Sequence, residues 1–403
     1  MDKQPLTPLA QAVQQVLADI TSLTEVEQVS LDQAQGRVLS KALVSPIAVP
    51  PFANSQMDGY AGRFDELRAE TFLPVRLRVP AGSSPPELPF GSLARIFTGA
   101  PIPEGADTVI MQEDMITQEQ GGQLFARPSR LPDCKGRFVR QSGADIQPGQ
   151  ILLGPGRRLG SADIGFLASV GVQKVDVFRQ PRVAIFSTGD ELVQPGGALG
   201  PGQIFDSNRP MMRTVFSQYG LSVSDLGRLP DKADATREAL QRASHSHDMV
   251  LTCGGVSVGE EDHVKAAVTA LGSLRLWKLA MKPGKPFAFG QINRCYFVGL
   301  PGNPVSAWVT FFLLGQLLLR RLEGETAPNL LKFTAPAGFD WPRPDPREEF
   351  LRGRLDDQGF LHIHARQDSH ILSSLVESTG LIRIPGNTTV VQGDRLDFFP
   401  YRF

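Results

Sequence analysis

Thr252-Cys253-Gly254-Gly255-Val256-Ser257-Val258-Gly259-Glu260-Glu261-Asp262 is a glycine-rich, acid-ended segment with an apolar run (249–253) before it and a helical pattern (260–271) after it. The glycines therefore join a buried strand to a helix. The same alternation continues outward. Further strands are predicted at 183–186, 222–227, 274–280 and 295–299, and helices from near Asn208, at 233–244 and at 304–322. Short strands alternating with helices of ten or more residues imply right-handed crossovers and a doubly wound, mostly parallel sheet. Such sheets take ligands at the C-terminal ends of their strands, so the turns there are the candidate site.

Around this α/β domain, assigned to 181–326, the pattern changes. Leu9, Val13, Val16, Leu17 and Ile20 recur at helical spacing. Pro46, Pro50 and Pro51 mark a domain edge, and β-branched runs such as 75–79 and 108–111 follow, broken by Gly and Pro. The expected organisation is multidomain α/β and β. Residues 1–44 plus 149–180 form an elongated N-terminal helix-strand domain, and 45–148 form an inserted small β-module. Residues 327–403 form a C-terminal β-barrel-like domain with strands at 350–355, 360–364, 381–384 and 395–399.

Composition narrows the function. With 41 Lys+Arg against 42 Asp+Glu in 403 residues the chain is not a polybasic binder, and no basic-aromatic interleaving points to nucleic acid. A hydrophobic content of 41% with 21% charged residues predicts a folded core rather than disorder. Three scattered cysteines make neither a disulfide framework nor a zinc knuckle and suit a reducing, cytoplasmic setting. No signal peptide pattern opens the chain. The apolar run 305–319 contains Ser306, Thr310 and Gln316 and falls short of the roughly 18 residues of a membrane span, so a core helix and no membrane are expected.

Several strand-end motifs carry chemistry. Gly254, Gly255, Ser257 and Gly259 let backbone N–H groups approach an anion, although a plain tight turn into an acidic helix start reads the same way. Glu260, Glu261 and Asp262 would repel a bare phosphate but hold one bridged by Mg²⁺. Ser187-Thr188-Gly189-Asp190-Glu191 brings hydroxyls and carboxylates to the same edge, and Asp231 ends another strand, where a helix cap is the plainer reading. Lys278, Lys282 and Lys285 surround Pro283-Gly284, with Lys278 and Lys282 expected on one face of a strand, stiffened to grip an oxyanion. In Pro301-Gly302-Asn303-Pro304, Asn303 is a natural N-cap and Pro304 a natural first helical residue. Asp58-Gly59 reads as a turn.

Taken together these strings resemble the MoeA and gephyrin E-domain family of molybdopterin molybdenumtransferases. Six ordered motifs carry the likeness: Pro50-Pro51-Phe52 with Ser55 to Ala61, Thr98-Gly99-Ala100 with Gly105-Ala106-Asp107, Ser187 to Leu192, Gly254 to Gly259, Lys282 to Pro286, and Leu300 to Pro304. The resemblance implies an enzyme that inserts molybdate into adenylylated molybdopterin and releases AMP with Mg²⁺. It also implies a homodimer with a shared site, and a possible molybdopterin adenylyltransferase partner. By motif position it assigns catalysis to Asp58, Thr98, Asp145, Glu191, Asp231 and Asp262, the metal falling to the last three. Molybdopterin and phosphate binding falls to Ser187, Thr188, Gly254, Gly255, Ser257, Gly259, Pro301, Asn303 and Pro304. Molybdate binding falls to Lys278, Lys282, Lys285, Arg352, Ser369 and Ser373. Ser378-Thr379-Gly380 departs from the family's frequent Ala-Asn-Gly, and Cys253 from its Ser or Thr. A gephyrin-like scaffold and a nucleotide pyrophosphate hydrolase with a related α/β domain are the competing readings.

Overall fold

The structure, a computed structural model, describes residues 6–256 and 263–401. Helix α1 (Leu9–Asp19) is grouped by sequence pattern with residues 20–44, but it docks elsewhere. Its stripe of Leu9, Ala12 and Val16, followed by Ile20, joins a core cluster with Val183, Met212, Phe216 and Leu314 of the α/β domain. Trp277 Nε1 donates to Gln15 Oε1 at 3.2 Å, and Arg275 pairs with Asp19 at 2.6 Å. An apolar stripe is stable only against a large apolar partner, and the sheet domain supplies it.

Strand β1 (Val26–Ser30) pairs antiparallel with a strand far along the chain, Lys174–Phe178. Leu43–Val44 pairs with Ile151–Leu153, which forms the neck through which the β-module leaves and returns. The module holds β2 (Gly59–Gly62), β3 (Leu73–Val79), β4 (Leu93–Ile96), β5 (Thr108–Met111), β6 (Met115–Gln120) and β7 (Gln123–Pro128) in the order β5-β2-β4-β3-β7-β6. Apolar side chains fill both faces of this sheet, Ala61, Val79 and Ile96 in one cluster and Tyr60, Leu93 and Ile110 in the other. After the neck come α2 (Ser161–Ser169) and β8 (Lys174–Phe178), the partner of β1.

The α/β domain contains β9 (Val183–Thr188), α3 (Asn208–Gln218), β10 (Val223–Leu229), α4 (Ala233–Ser246), β11 (Met249–Cys253), α5 (His263–Leu271), β12 (Gly272–Lys278), β13 (Met281–Lys282), β14 (Pro286–Ile292), β15 (Cys295–Leu300) and α6 (Pro304–Leu322). Its sheet runs β10-β9-β11-β15-β14-β12. All its strands point one way except β14, which is antiparallel to both neighbours. Sequence pattern leaves β14 unassigned because Gly290 interrupts its apolar run. That glycine is required, since a Cβ there would lie 2.1 Å from the Ser273 carbonyl oxygen. Asn293, at φ 55°, turns the chain back into β15. Helices α1, α3 and α6 cover one face, and α4 and α5 the other. Helix α6 spans 19 residues, longer than its apolar run implies and long enough by composition to cross a membrane, but 78% of that window is buried in the core.

The last domain is a sheet, β13-β17-β19-β20-β16, built from β16 (Phe333–Pro336), β17 (Glu348–Leu355), β19 (Gly380–Ile384) and β20 (Arg395–Pro400), with β18 (Leu361–Ile363) added to β17. It recruits β13 from the α/β domain, so the lysine corner is shared by two sheets. Cys134, Cys253 and Cys295 are all unpaired.

Candidate functional site at the strand ends

Strand register fixes the rim. Thr188 lies beside Leu229, Ser187 beside Cys253, Cys253 beside Leu300, and Lys278 beside Pro286 at the start of β14. The turns after β9, β10, β11, β15 and β12 therefore open on one edge, bringing Ser187, Thr188, Glu191, Asp231, Gly254, Gly255, Pro301, Asn303 and Lys278 to a common side. From β9 to β12 are four interstrand steps, so the acidic and lysine ends of the rim lie about 19 Å apart.

At the acidic end the backbone is closely packed. Gly254 and Gly255 have φ of 97° and 68°, a region costly for other residues, and a Cβ on Gly254 would sit 2.3 Å from Thr188 Oγ1. The Gly254 N–H donates to the Leu300 carbonyl at 2.9 Å. Ser187 is buried, and its hydroxyl has no hydrogen-bond partner among the described residues. The Glu191 carboxylate lies over Gly189, Asp190 pairs with Arg228 at 3.1 Å, and Asp231 faces His263 Nε2 at 3.7 Å. Ser257, Gly259 and Asp262 lie outside the described residues. Among the described residues no group of three or more His, Cys, Asp or Glu side chains is arranged to hold a metal by itself.

The lysine end departs from expectation. Strand β12 stops at Lys278, and Lys282 belongs to β13, which pairs in parallel with Glu348–Glu349. The two lysines therefore do not share one strand. The kink arises because the Leu279 N–H closes on the Lys285 carbonyl at 2.7 Å and the Ala280 N–H donates to Thr7. Lys282 donates to the buried Glu349 carboxylate at 2.9 Å and faces Asp345 at 3.8 Å. Its charge is already matched, whereas Lys278 and Lys285 make no ion pair among the described residues. Gly284 presses on α6, where a Cβ would meet Thr310 Oγ1 at 2.4 Å.

Asn303 occupies the N-cap position of α6 but makes no side-chain cap. Its amide donates to Ser369 Oγ at 3.1 Å instead, and the Ser369 carbonyl accepts the Val305 N–H at 3.1 Å. Ser369 of the C-terminal domain thus joins the rim, and one free N–H of the helix start is already used. Ser373 accepts from Arg366 at 3.1 Å. Arg352 faces inward rather than toward solvent. It is fully buried, donating from Nε to Ser374 Oγ at 3.1 Å and, at 3.4 Å, to the Phe350 and Asp368 carbonyls. Burial pulls its pKa down to about 10, opposed only in part by Tyr401 and Asp368.

In the β-module, Asp58 is exposed, and its Oδ1 accepts both the N–H and the hydroxyl of Thr98 at 2.7 Å each. Those two donors hold its carboxyl below the usual carboxylate range. Among the described residues Asp145 is hydrogen-bonded only through its N–H, to the Val49 carbonyl at 2.9 Å. Among the described residues no hydrogen bond or ion pair joins the module to the α/β domain. One chain therefore displays two groups, the strand-end rim and the Asp58–Thr98 pair, without linking them.

Sequence reasoning missed Asp206, Asn208 and Arg209, all buried beside the rim. Asn208 Nδ2 donates to the Gly302 carbonyl at 2.6 Å, and Arg209 pairs with Asp206 and Asp225, each at 3.3 Å. Asp206-Ser207-Asn208 at a helix start looks like ordinary capping, which hides it. A separate aromatic pocket between α3 and α6, lined by Tyr219, Trp308, Phe311, Phe312 and Tyr401 among others, contains none of the expected site residues.

Residues 7–171 match the MoeA N-terminal region (domain I and II), 184–321 a probable molybdopterin binding domain, and 334–401 the MoeA C-terminal region (domain IV). A molybdopterin molybdenumtransferase of Haemophilus influenzae is 40% identical over 93% of this chain and 93% of its own. One from Nostoc is 35% identical over 96% and 93%. The crystal structure of a molybdopterin biosynthesis moeA protein from Pyrococcus horikoshii superposes with a TM-score of 0.83 at 29% identity, covering 98% of this chain and all of that one.

Proposed function

This chain belongs to the MoeA family and is a transferase of molybdenum cofactor biosynthesis, and we propose that it transfers molybdenum from molybdate to adenylylated molybdopterin with release of AMP. The observation that carries the finer reading is the common rim, with glycines and hydroxyls at one end, lysines without an ion pair among the described residues at the other and a dinucleotide-sized span between.

Each group has work suited to its chemistry. Gly254 and Gly255 bring backbone close to a phosphate, and the Thr188 hydroxyl stands beside them. Lys278 and Lys285 supply positive charge for the molybdate dianion, and Ser369, fixed by Asn303, supplies a hydroxyl. Lys282 fixes the corner through Glu349. Mg²⁺ needs only one or two carboxylates beside phosphate oxygens, so Glu191 and Asp231, on turns after adjacent strands, fit it with Asp262. When bound it offsets charge on the phosphoanhydride.

Asp58 and Thr98 reach the reaction from the second subunit of a homodimer, a reading supported by the lack of any hydrogen bond or ion pair among the described residues that joins them to the rim. A molybdopterin adenylyltransferase supplies the substrate, and the unpaired cysteines suit a cytoplasmic setting.

The test is turnover by purified protein with adenylylated molybdopterin, molybdate and Mg²⁺, scoring cofactor and AMP. Wild type should form both, and Asp262→Asn should lose most of that activity while keeping its thermal transition. A folded wild type that makes neither product, as a scaffold would, or AMP alone, as a pyrophosphate hydrolase would, refutes the assignment.

A further inference from the structure

The Asp58 turn is clamped by groups that do not touch its carboxylate. Arg95 faces Tyr60 across the β2–β4 pair. Its Nη1 donates to the Gly59 carbonyl at 2.8 Å and its Nη2 to Gln112 Oε1 at 2.6 Å. The Gln112 N–H in turn donates to the Asp58 carbonyl at 3.0 Å. The guanidinium is held flat by aromatic rings, 4.8 Å from the Phe97 centroid and 5.2 Å from that of Tyr60. On the other flank the Ser55 hydroxyl donates to the Met57 carbonyl at 2.6 Å. Peptide groups on both sides of Asp58 are thus fixed, and Thr98 takes Oδ1. Oδ2 accepts no hydrogen bond among the described residues.

We propose that Arg95 is a positioning residue for Asp58: its two-pronged contact to Gly59 and Gln112 sets the turn so that Thr98 holds one carboxylate oxygen and the other is presented outward to the ligand. This rests on the reading that Asp58 serves molybdenum transfer. A guanidinium fork spans two acceptors at fixed geometry, and an ammonium cannot. The remaining charged groups facing the turn are Arg78, which shares the Phe97 ring at 4.9 Å, and Glu113, which accepts from the Gln112 amide at 3.2 Å. Arg95 also adds to the effect of Thr98 in holding the Asp58 carboxyl low, so its loss raises that pKa and moves the acid limb of the rate profile to higher pH.

The experiment measures kcat and KM for molybdenum insertion against pH, with thermal unfolding, for full-length wild type, Arg95→Gln, Arg95→Lys, Gln112→Ala and Asp58→Asn. Arg95→Gln should lower kcat about tenfold or more, leave KM within about twofold, and shift the acid limb upward. Arg95→Lys should keep the limb in place without restoring kcat. Gln112→Ala should lower kcat in the same direction by less, which keeps the test usable if Arg95→Gln does not fold. A folded Arg95→Gln with wild-type kcat and limb overturns the proposal, as does a loss that follows the melting temperature with the limb unmoved. If Asp58→Asn itself turns over normally, the role of Asp58 fails, which is a different outcome from failure of Arg95.

Discussion

A Cβ on Gly59 would lie 1.9 Å from the Ile110 carbonyl oxygen. The Asp-Gly pair therefore does not serve a left-handed turn, as its sequence implies. Gly59 is a buried strand residue with ordinary φ, kept small because the neighbouring strand's backbone leaves no room. Gly59→Ala should destabilise the protein by about 2–3 kcal/mol, measured as a fall in the urea midpoint at constant slope; an unchanged midpoint would contradict this packing. Asp345 has a different kind of dependence. Hydrogen bonds from the Arg347 guanidinium and N–H hold its carboxyl down to about 2. A lowered folded-state pKa stabilises above the unfolded value of about 3.9 and is lost as pH falls from there toward 2. The stability gap between wild type and Asp345→Asn should therefore narrow below pH 4 in urea titrations, and a gap constant down to pH 2.5 would argue against it. Gly59 was legible in the sequence only as half of an Asp-Gly turn, because the close approach of Ile110 comes from a strand distant in sequence. Asp345, two residues from its partner Arg347, carried no pattern that singled it out.

At the scale of elements, the lysine corner shows how far periodicity reaches. Residues 274–282 are apolar apart from Arg275, Lys278 and Lys282, so nothing in the run marks that β12 ends at Lys278 and a second sheet begins at Met281. Beyond the break, Glu349, buried in β17, is bonded to both Lys282 and the Trp341 indole and anchors the new strand. Lys282→Met removes one partner and should cost about 1–3 kcal/mol, with much of the loss recovered in Lys282→Met/Glu349→Gln. Additive losses in that cycle would show that the pair is not coupled. The α/β alternation, by contrast, was readable for the parallel strands at the centre of the sheet, since strands buried on both faces are continuous apolar runs. Strand β14 escaped because it is a hairpin arm with a glycine at its centre.

For the molecule as a whole, proline density and the switch between strand and helix patterns set the expectation of an inserted module and a terminal β-domain. Burial, not sequence pattern, assigned α1 to the α/β core, because an amphipathic stripe does not name its partner. The separation of Asp58 from the rim is likewise visible only in three dimensions. A site shared between subunits predicts complementation: Asp58→Asn and Asp231→Asn, each inactive alone, should recover about a quarter of wild-type activity when refolded together, because half of the random pairs contain one intact site. No recovery among verified mixed dimers would place both groups in one chain. The most direct measurement is a crystal structure with adenylylated molybdopterin and molybdate, located by molybdenum anomalous scattering. The phosphates should rest on Gly254, Gly255 and Thr188, with molybdenum toward Lys278 and Lys285. Ligand seated in the Trp308 pocket, or molybdenum far from both lysines, would contradict the account.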